Sequence, residues 1–92
     1  MKKYRSRDDI IASILQATIE KQIRTKIMYK TYLPYKQLKE YLLLLLENSL
    51  LEYQQGEQTY RTTEKGRRLL DIYNQINELV VLKTEMKVIT NP

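Results

Sequence analysis

The chain contains no cysteine and no histidine among its 92 residues. Disulfides, zinc sites built on thiolate or imidazole ligands, and thiol or imidazole catalysis are therefore excluded. Long apolar runs are also missing, since the longest, residues 41–46, is far shorter than the about 20 residues that cross a bilayer. The chain begins with basic and polar residues, so no secretory signal is expected. These absences predict a soluble, cytoplasmic protein that needs no metal and no cofactor.

Carboxylates are present, but their pattern does not suggest an enzyme. Most of the 11 Asp and Glu residues fall at predicted helix caps and on polar helix faces. No nucleophile–base pair, phosphate-binding glycine loop or metal-ligand cluster accompanies them in the sequence. We therefore expect no catalytic site.

The positive charge is distributed unevenly along the chain. The net charge is +5 and the pI is near 9.5. Residues 1–39 carry a net +7, residues 40–60 a net −4, residues 61–68 a net +3 and the remainder −1. Basic charge concentrated in one part of a chain is typical of a surface that binds nucleic acid.

Hydrophobic spacing predicts two helices in the first third of the chain. Ser6 is the expected cap of the first, whose apolar stripe extends to Ile19 and whose end we expect near residue 21. Thr25 is the expected cap of a second, shorter helix. That helix offers to the core Ile27, Met28 and Tyr32.

A third helix is predicted over residues 34–47, with Pro34 in its first turn, where the missing N–H costs nothing. Its inward face is formed by Leu38, Tyr41, Leu42 and Leu45. Further leucines exceed what one small core needs, so we expect them to meet another helix or another subunit. These surplus residues are Leu43, Leu44 and Leu46.

Two short alternating segments, residues 51–54 and 58–61, flank a turn that contains Gly56 and predict a β-hairpin. Thr62 or Thr63 is the expected cap of a last helix. Gly66 lies in the first turn of that helix, where glycine is unfavourable, so we expect it to pack closely against a neighbouring element.

The last helix carries a heptad seam formed by Leu69, Ile72, Ile76 and Leu79. The next seam position is Lys83, so the pattern lasts less than two heptads, and it resumes in another phase further on. Apolar side chains beside the seam widen the stripe, namely Tyr73, Val80 and Val81. We predict a homodimer that forms through this helix, the alternative being a helix that packs on its own domain. The expected division is a DNA-binding domain over 1–62 and a dimerisation helix and tail over 63–92.

These patterns together resemble a known family. The resemblance is carried by Thr25-Lys26-Ile27-Met28-Tyr29, Leu33, Tyr35, Tyr41-Leu42 and the segment from Tyr60 to Gly66. The chain is similar over about residues 6–80 to the small archaeal winged-helix DNA-binding proteins, which are chromatin-associated proteins or transcriptional regulators. The resemblance implies a mainly α fold with a small β-hairpin, a winged helix-turn-helix plus a C-terminal dimerisation helix, dimerisation through an antiparallel coiled coil, and a location on the nucleoid. The sequence departs from the family at Pro34, where a small polar cap is common.

In helix-turn-helix proteins the second helix of the motif enters the major groove with its N-terminal residues. Base contacts are therefore expected from Tyr35, Lys36, Gln37 and Lys39. The preceding helix is expected to contact phosphates through Thr25, Lys26 and Lys30. The hairpin contributes Gln58 and Arg61 near the flanking groove. Its tip carries Glu57 and no Lys or Arg, so deep insertion of the hairpin is not expected.

Two other kinds of partner remain open at the level of the sequence. A winged helix that binds a protein would use the surplus leucines of the third helix and the acidic stretch from Glu40 to Glu57. RNA binding would use some of the eight tyrosines for base stacking, although several of them face the predicted core and no known RNA-binding motif is present.

Overall fold

The computed structural model describes the backbone of residues 5–90 and the side chains of residues 5–79. The elements follow in the order α1 (Arg7–Ala17), β1 (Gln22–Ile23), α2 (Arg24–Thr31), α3 (Tyr35–Glu47), β2 (Leu51–Gln54), β3 (Thr59–Thr62) and α4 (Glu64–Thr90). The strands form one antiparallel sheet in the order β1-β3-β2. This arrangement confirms the predicted fold class, a mainly α winged helix-turn-helix with a β-hairpin and a C-terminal helix.

Helix α1 begins as predicted but ends early. Ser6 forms a capping box, because its hydroxyl accepts from the Asp9 amide at 3.0 Å while the Asp9 carboxylate accepts from the Ser6 amide at 3.4 Å. The helix ends at Ala17 rather than near residue 21, and Ile19 therefore does not extend its apolar stripe. The reason is tertiary: the buried hydroxyls of Thr18 and Thr62 lie 2.8 Å apart, and this contact takes the chain away from the helix axis.

Strand β1 was not predicted, since two residues are too few to show alternation. Gln22 pairs with Tyr60 and Ile23 with Thr59 across the sheet. The extended backbone of Ile23 then serves as the N-cap of α2, without a side-chain hydrogen bond. The expectation that Thr25 caps α2 is therefore wrong, because sheet pairing starts the helix at Arg24 and leaves Thr25 inside its first turn.

The turn between α2 and α3 also corrects one predicted core residue. Tyr32, which ends α2 in the left-handed conformation at φ 58°, is 87% exposed rather than buried. Leu33 occupies the core in its place and is 5% exposed. Pro34 is the N-cap of α3, so the helix begins at Tyr35, one residue later than predicted.

The core lies between α1, α2, α3 and the base of the sheet. Helix α3 buries three leucines as predicted, while Tyr41 and Leu46 pack partly buried against them. Leu43 is 54% exposed on the opposite face. The buried apolar side chains are Ile10, Ala12, Ile14, Leu15, Ile27, Leu33, Leu38, Leu42, Leu45, Leu51 and Leu70.

The hairpin of β2 and β3, called the wing below, pairs Leu51 with Thr62 at its buried base. Its second strand covers Thr59–Thr62, one residue later than predicted. The left-handed position of the turn is held by Gln58 at φ 57° rather than by Gly56, and the Gln58 amide donates to the Gln54 carbonyl at 2.6 Å.

The start of α4 packs closely against the turn that follows α3. Thr63 caps it, since its hydroxyl accepts from the Gly66 amide at 3.0 Å. A Cβ on Gly66 would overlap the Leu50 carbonyl oxygen and would lie 2.7 Å from the Thr62 methyl carbon. The predicted close packing at Gly66 is therefore confirmed, and no side chain fits there unless the backbone moves.

Candidate nucleic-acid interface

Helices α2 and α3 form a helix-turn-helix unit whose inner face is apolar and whose outer face is basic. Ile27 and Leu38 are fully buried and hold the two helices on the core. Residues 24–39 carry five Lys and Arg and no Asp or Glu. Because the buried positions are apolar, all five cations lie on the exposed side. The exposed side of the unit therefore carries five positive charges and no negative charge.

All of the side chains predicted to contact DNA are exposed, and they come from three elements. They are Thr25, Lys26 and Lys30 on α2, Tyr35, Lys36, Gln37 and Lys39 on α3, and Gln58 and Arg61 on or next to the wing. Thr25 and Lys26 lie on different sides of α2, because consecutive helical residues are about 100° apart. Lys26 and Lys30 are four residues apart and share one side.

A groove of about 370 Å³ separates the start of α2 from the wing and brings Thr25 and Gln58 together. Its walls also include Ile23, Arg24, Tyr53 and Tyr60. The sequence-based reasoning missed Arg24 and Tyr53. Arg24 could have been predicted, because it is adjacent in sequence to the predicted contact residue Thr25. The position of Tyr53 in the groove depends on the hairpin register, which the sequence does not show.

Aromatic side chains lie in and beside this groove. The Arg24 guanidinium lies over the Tyr35 ring, 4.8 Å from its centre, which links the starts of α2 and α3. Across the groove the rings of Tyr53 and Tyr60 have centres 4.8 Å apart and are tilted by 46°. Burial, together with the neighbouring Tyr53, raises the pKa of the Tyr60 hydroxyl. A tyrosine hydroxyl is protonated at neutral pH even without this shift, so it can donate a hydrogen bond.

The predicted contact residues do not all meet at this groove. Gln37 lies in a second depression with Arg7, Glu40, Tyr41 and Leu44, so the start of α1 approaches the face of α3 that carries Gln37. Arg61 neighbours Tyr60 in β3 and therefore points to the opposite face of the sheet. Its cross-strand partner there is Glu52.

The wing tip is held by an ion pair. The Lys21 ammonium lies 2.8 Å from a carboxylate oxygen of Glu57, and both side chains are about half exposed. The hydrogen bond and the charge of Lys21 hold the pKa of the Glu57 carboxyl below its ordinary value. This pair positions the wing relative to the segment before β1.

Two basic residues outside the helix-turn-helix unit have structural partners. The Arg5 guanidinium donates to the Thr31 carbonyl at 2.7 Å, and the Lys65 ammonium donates to the Asn48 carbonyl at 2.9 Å. Cations at the carbonyl ends of helices are favourable. Lys65, at the unfavourable N-terminus of α4, is thus explained by its contact with the end of α3. Lys2 and Lys3 lie outside the described residues.

The predicted dimer seam is exposed in the single chain. Exposure rises along α4, from 38% at Leu69 and 52% at Ile72 to 57% at Ile76 and 64% at Leu79. A shallow apolar cleft runs between this face and α1. Tyr73 is partly buried there and its hydroxyl donates to the Asp9 carboxylate. Val80 and Val81 lie outside the residues whose side chains are described.

Two other kinds of site are absent from the part of the chain that the structure describes. Among the described residues, no group of three or more acidic side chains is arranged to hold a metal ion. None of the helices in that part combines the length and the apolarity that a membrane crossing requires.

Comparisons with known proteins agree with this geometry. A family profile described as winged helix-turn-helix matches residues 4–81, most of the chain. Among solved structures, the chain is similar to Sso10a-2, described as a DNA-binding protein from Sulfolobus solfataricus, with a TM-score of 0.75 and 22% sequence identity. That similarity covers 96% of this chain and 98% of the other. A search of curated proteins found no match.

Proposed function

This chain belongs to the winged helix-turn-helix family, and we propose that it binds double-stranded DNA through the basic face of α2 and α3. The observation that carries the proposal is the uninterrupted positive charge of residues 24–39 on the exposed side of a helix-turn-helix unit. The description of the structurally similar Sulfolobus protein as DNA-binding supports it. The biological role we propose is that of a transcriptional regulator or a chromatin-associated protein of the nucleoid.

In this proposal α3 enters the major groove with its N-terminal turn. Lys36 and Lys39 then reach phosphate or guanine, and Gln37 is suited to the paired hydrogen bonds that adenine accepts and donates. Helix α2 lies over the backbone, where Lys26 and Lys30 bind phosphates and fix the register. The groove beside the wing adds Arg24, Thr25 and Gln58 as contacts to the flanking backbone.

We further propose that the active form is a homodimer joined through α4. The exposed seam supports this, because four large apolar side chains on one helix face would otherwise remain in water. Sedimentation at micromolar concentration should give twice the chain mass of 11.1 kDa. A species of 11.1 kDa under those conditions would refute the dimer while leaving DNA binding open.

The salt dependence of DNA affinity tests the interface residue by residue. If a dimer neutralises about eight phosphates, log affinity falls with log salt at a slope near −7. Replacing Lys36 and Lys39 by alanine should reduce the magnitude of this slope by about 2 per chain. The matched control replaces Arg67 and Arg68, which removes the same charge from α4 and should leave the slope close to that of the wild type. Equal slopes for the wild type and the Lys36/Lys39 variant would remove α3 from the interface.

One observation favours a second candidate function, a winged helix that binds a protein. Leu43 is 54% exposed on α3, beyond the basic first turns of that helix, and Glu40 and Glu47 flank it. This candidate would be favoured if the wild type captured a protein and the Leu43→Asp variant did not. Neither the wild type nor the variant would then bind duplex DNA.

A further inference from the structure

Two tyrosines of the helix-turn-helix unit have their rings in solvent. Tyr29 is 82% exposed and Tyr32 is 87% exposed, whereas Tyr35 is 44% exposed and lies against Arg24. Aromatic side chains ordinarily bury most of their large surface, because that burial is their main contribution to stability. Within the described residues neither ring makes a hydrogen bond or an aromatic contact. Their presence is therefore not explained by the folding of this chain.

The backbone conformation of Tyr32 is also not explained by the folding of this chain. Its φ of 58° and ψ of 34° lie in the left-handed region, where glycine or asparagine is the usual residue at the end of a helix. A bulky aromatic residue is strained in this conformation. Since its ring is exposed, packing within the chain does not offset that strain. Strain kept without a gain in stability is a reason to look for a ligand.

The positive charge near the two rings indicates which class of ligand they would bind. Lys26 and Lys30 lie one helical turn apart on α2, and Tyr29 lies between them in sequence. No acidic residue occurs from Arg24 to Lys39. Cations interleaved with exposed rings match a polyanion that carries planar groups. An acidic peptide would match the charge but would leave the ring faces without a planar partner.

We propose that Tyr29, Tyr32, Lys26 and Lys30, called the tyrosine–lysine patch, bind single-stranded nucleic acid by stacking unpaired bases on the two rings. The lysines contact the phosphates on either side of the stacked bases, as in other single-strand-binding surfaces. Paired bases in a duplex already stack on each other and offer no free face to these rings. The patch therefore distinguishes single strands from the duplex, and its activity does not require that the chain bind duplex DNA.

The test compares three labelled probes by fluorescence anisotropy with the full chain. The probes are an oligodeoxythymidine and an oligouridine of about 20 nucleotides, longer than typical single-strand sites, and a random-sequence duplex of similar length. Thymidine and uridine runs do not pair with themselves, so their bases stay free. The proposal expects the wild type to bind at least one of the two single strands. The tighter of the two identifies DNA or RNA as the better ligand.

The decisive variant carries Tyr29→Ala and Tyr32→Ala. Its Kd for the single strand should rise about tenfold for each ring removed, while its Kd for the duplex should change by no more than about twofold. The matched variant with Tyr29→Phe and Tyr32→Phe keeps both rings and should retain binding. Loss of binding in the phenylalanine variant would show that the hydroxyls act, and it would overturn the stacking proposal.

Tyr32→Gly separates binding from folding. Glycine relieves the left-handed strain, so the melting temperature should stay unchanged or rise by about 4 °C, while single-strand affinity should fall. Wild-type protein that binds neither single strand would overturn the proposal. Unchanged single-strand affinity in the variant with Tyr29→Ala and Tyr32→Ala would also overturn it. An equal loss of single-strand and duplex affinity would also overturn it and place the tyrosines in the duplex interface. Duplex binding by the wild type is measured separately, so failure of the proposed duplex binding can be distinguished from failure of single-strand binding.

Discussion

Helices α3 and α4 carry similar apolar stripes, but the chain covers only one of them. Leu38, Leu42 and Leu45 on α3 are at most 3% exposed, whereas Ile72, Ile76 and Leu79 on α4 are at least 52% exposed. The spacing of apolar residues in the sequence is helical in both cases. An apolar stripe therefore shows which face of a helix needs a partner, but it does not show whether the same chain supplies that partner.

The largest effect is expected at the covered stripe. Leu45→Ala should lower the free energy of unfolding by about 2 to 5 kcal/mol, because it opens a cavity at a fully buried position. Leu43→Ala on the same helix is the matched control. Since Leu43 is 54% exposed, the free energy of unfolding of this variant should lie within about 0.5 kcal/mol of the wild-type value. Urea titrations measure both values, and comparable losses for the two variants would contradict the assignment of the buried face.

A smaller loss is expected where α4 is still packed against the domain. Gly66→Ala should destabilise by about 1 to 3 kcal/mol, because the new methyl group meets the Leu50 carbonyl oxygen. Gly56→Ala is the control, since a Cβ at Gly56 meets nothing within 4 Å and its φ is not positive. Thermal unfolding of both variants measures the difference. A Gly66→Ala protein as stable as Gly56→Ala would show that α4 does not approach the Leu50 carbonyl this closely.

The next effect concerns the contact between α1 and α4 at Tyr73. Tyr73→Phe removes the hydrogen bond to Asp9 and should cost about 1 kcal/mol. That hydrogen bond raises the pKa of Tyr73 above its ordinary value of 10.0, so its stabilisation is complete below that pH and is lost as the pH rises through it. The difference in unfolding free energy between wild type and Tyr73→Phe should therefore be constant near neutral pH and shrink over the range above pH 10.0. A difference that stays constant over this range would contradict the Asp9–Tyr73 contact.

The smallest effect on folding of the separate chain is expected at the exposed stripe. Ile76→Asp should change the unfolding free energy of dilute protein by about 0.5 kcal/mol or less, because Ile76 is 57% exposed. At micromolar concentration the same variant should dissociate the proposed dimer, since a carboxylate would be buried against the partner helix. Sedimentation over a range of concentrations measures this. Identical sedimentation of variant and wild type as dimers would place the interface elsewhere.

The fold could largely be predicted because its signals are local. The capping box at Ser6, the helix break at Pro34 and the alternation around Gly56 each act within a few residues. The errors came from contacts between distant parts of the chain. Thr62 ends α1 early through Thr18, and β3 recruits Gln22 and Ile23 into the sheet, which moves the start of α2. No local pattern encodes such pairings.

In the candidate site, too, local features could be predicted and contacts between distant parts of the chain could not. The exposed cations of α2 and α3 could be predicted, because charged residues at helical spacing opposite an apolar stripe face solvent. The groove beside the wing could not be predicted as a whole, since it joins Arg24 to Tyr53 and Tyr60 through the hairpin register. Tyr32 was misassigned to the core because an aromatic residue after a helical stripe ordinarily continues it, whereas here the helix ends at that residue.

The most direct test of duplex binding is a fluorescence anisotropy titration of random-sequence duplex DNA with the wild-type chain at three salt concentrations. Binding through the basic face of α2 and α3 predicts a Kd of roughly 1 µM or tighter at low salt, with affinity that falls steeply as salt increases. Absence of binding at low salt would leave the fold intact but contradict general duplex binding. Affinity that does not change with salt would contradict the assignment of the basic face as the interface.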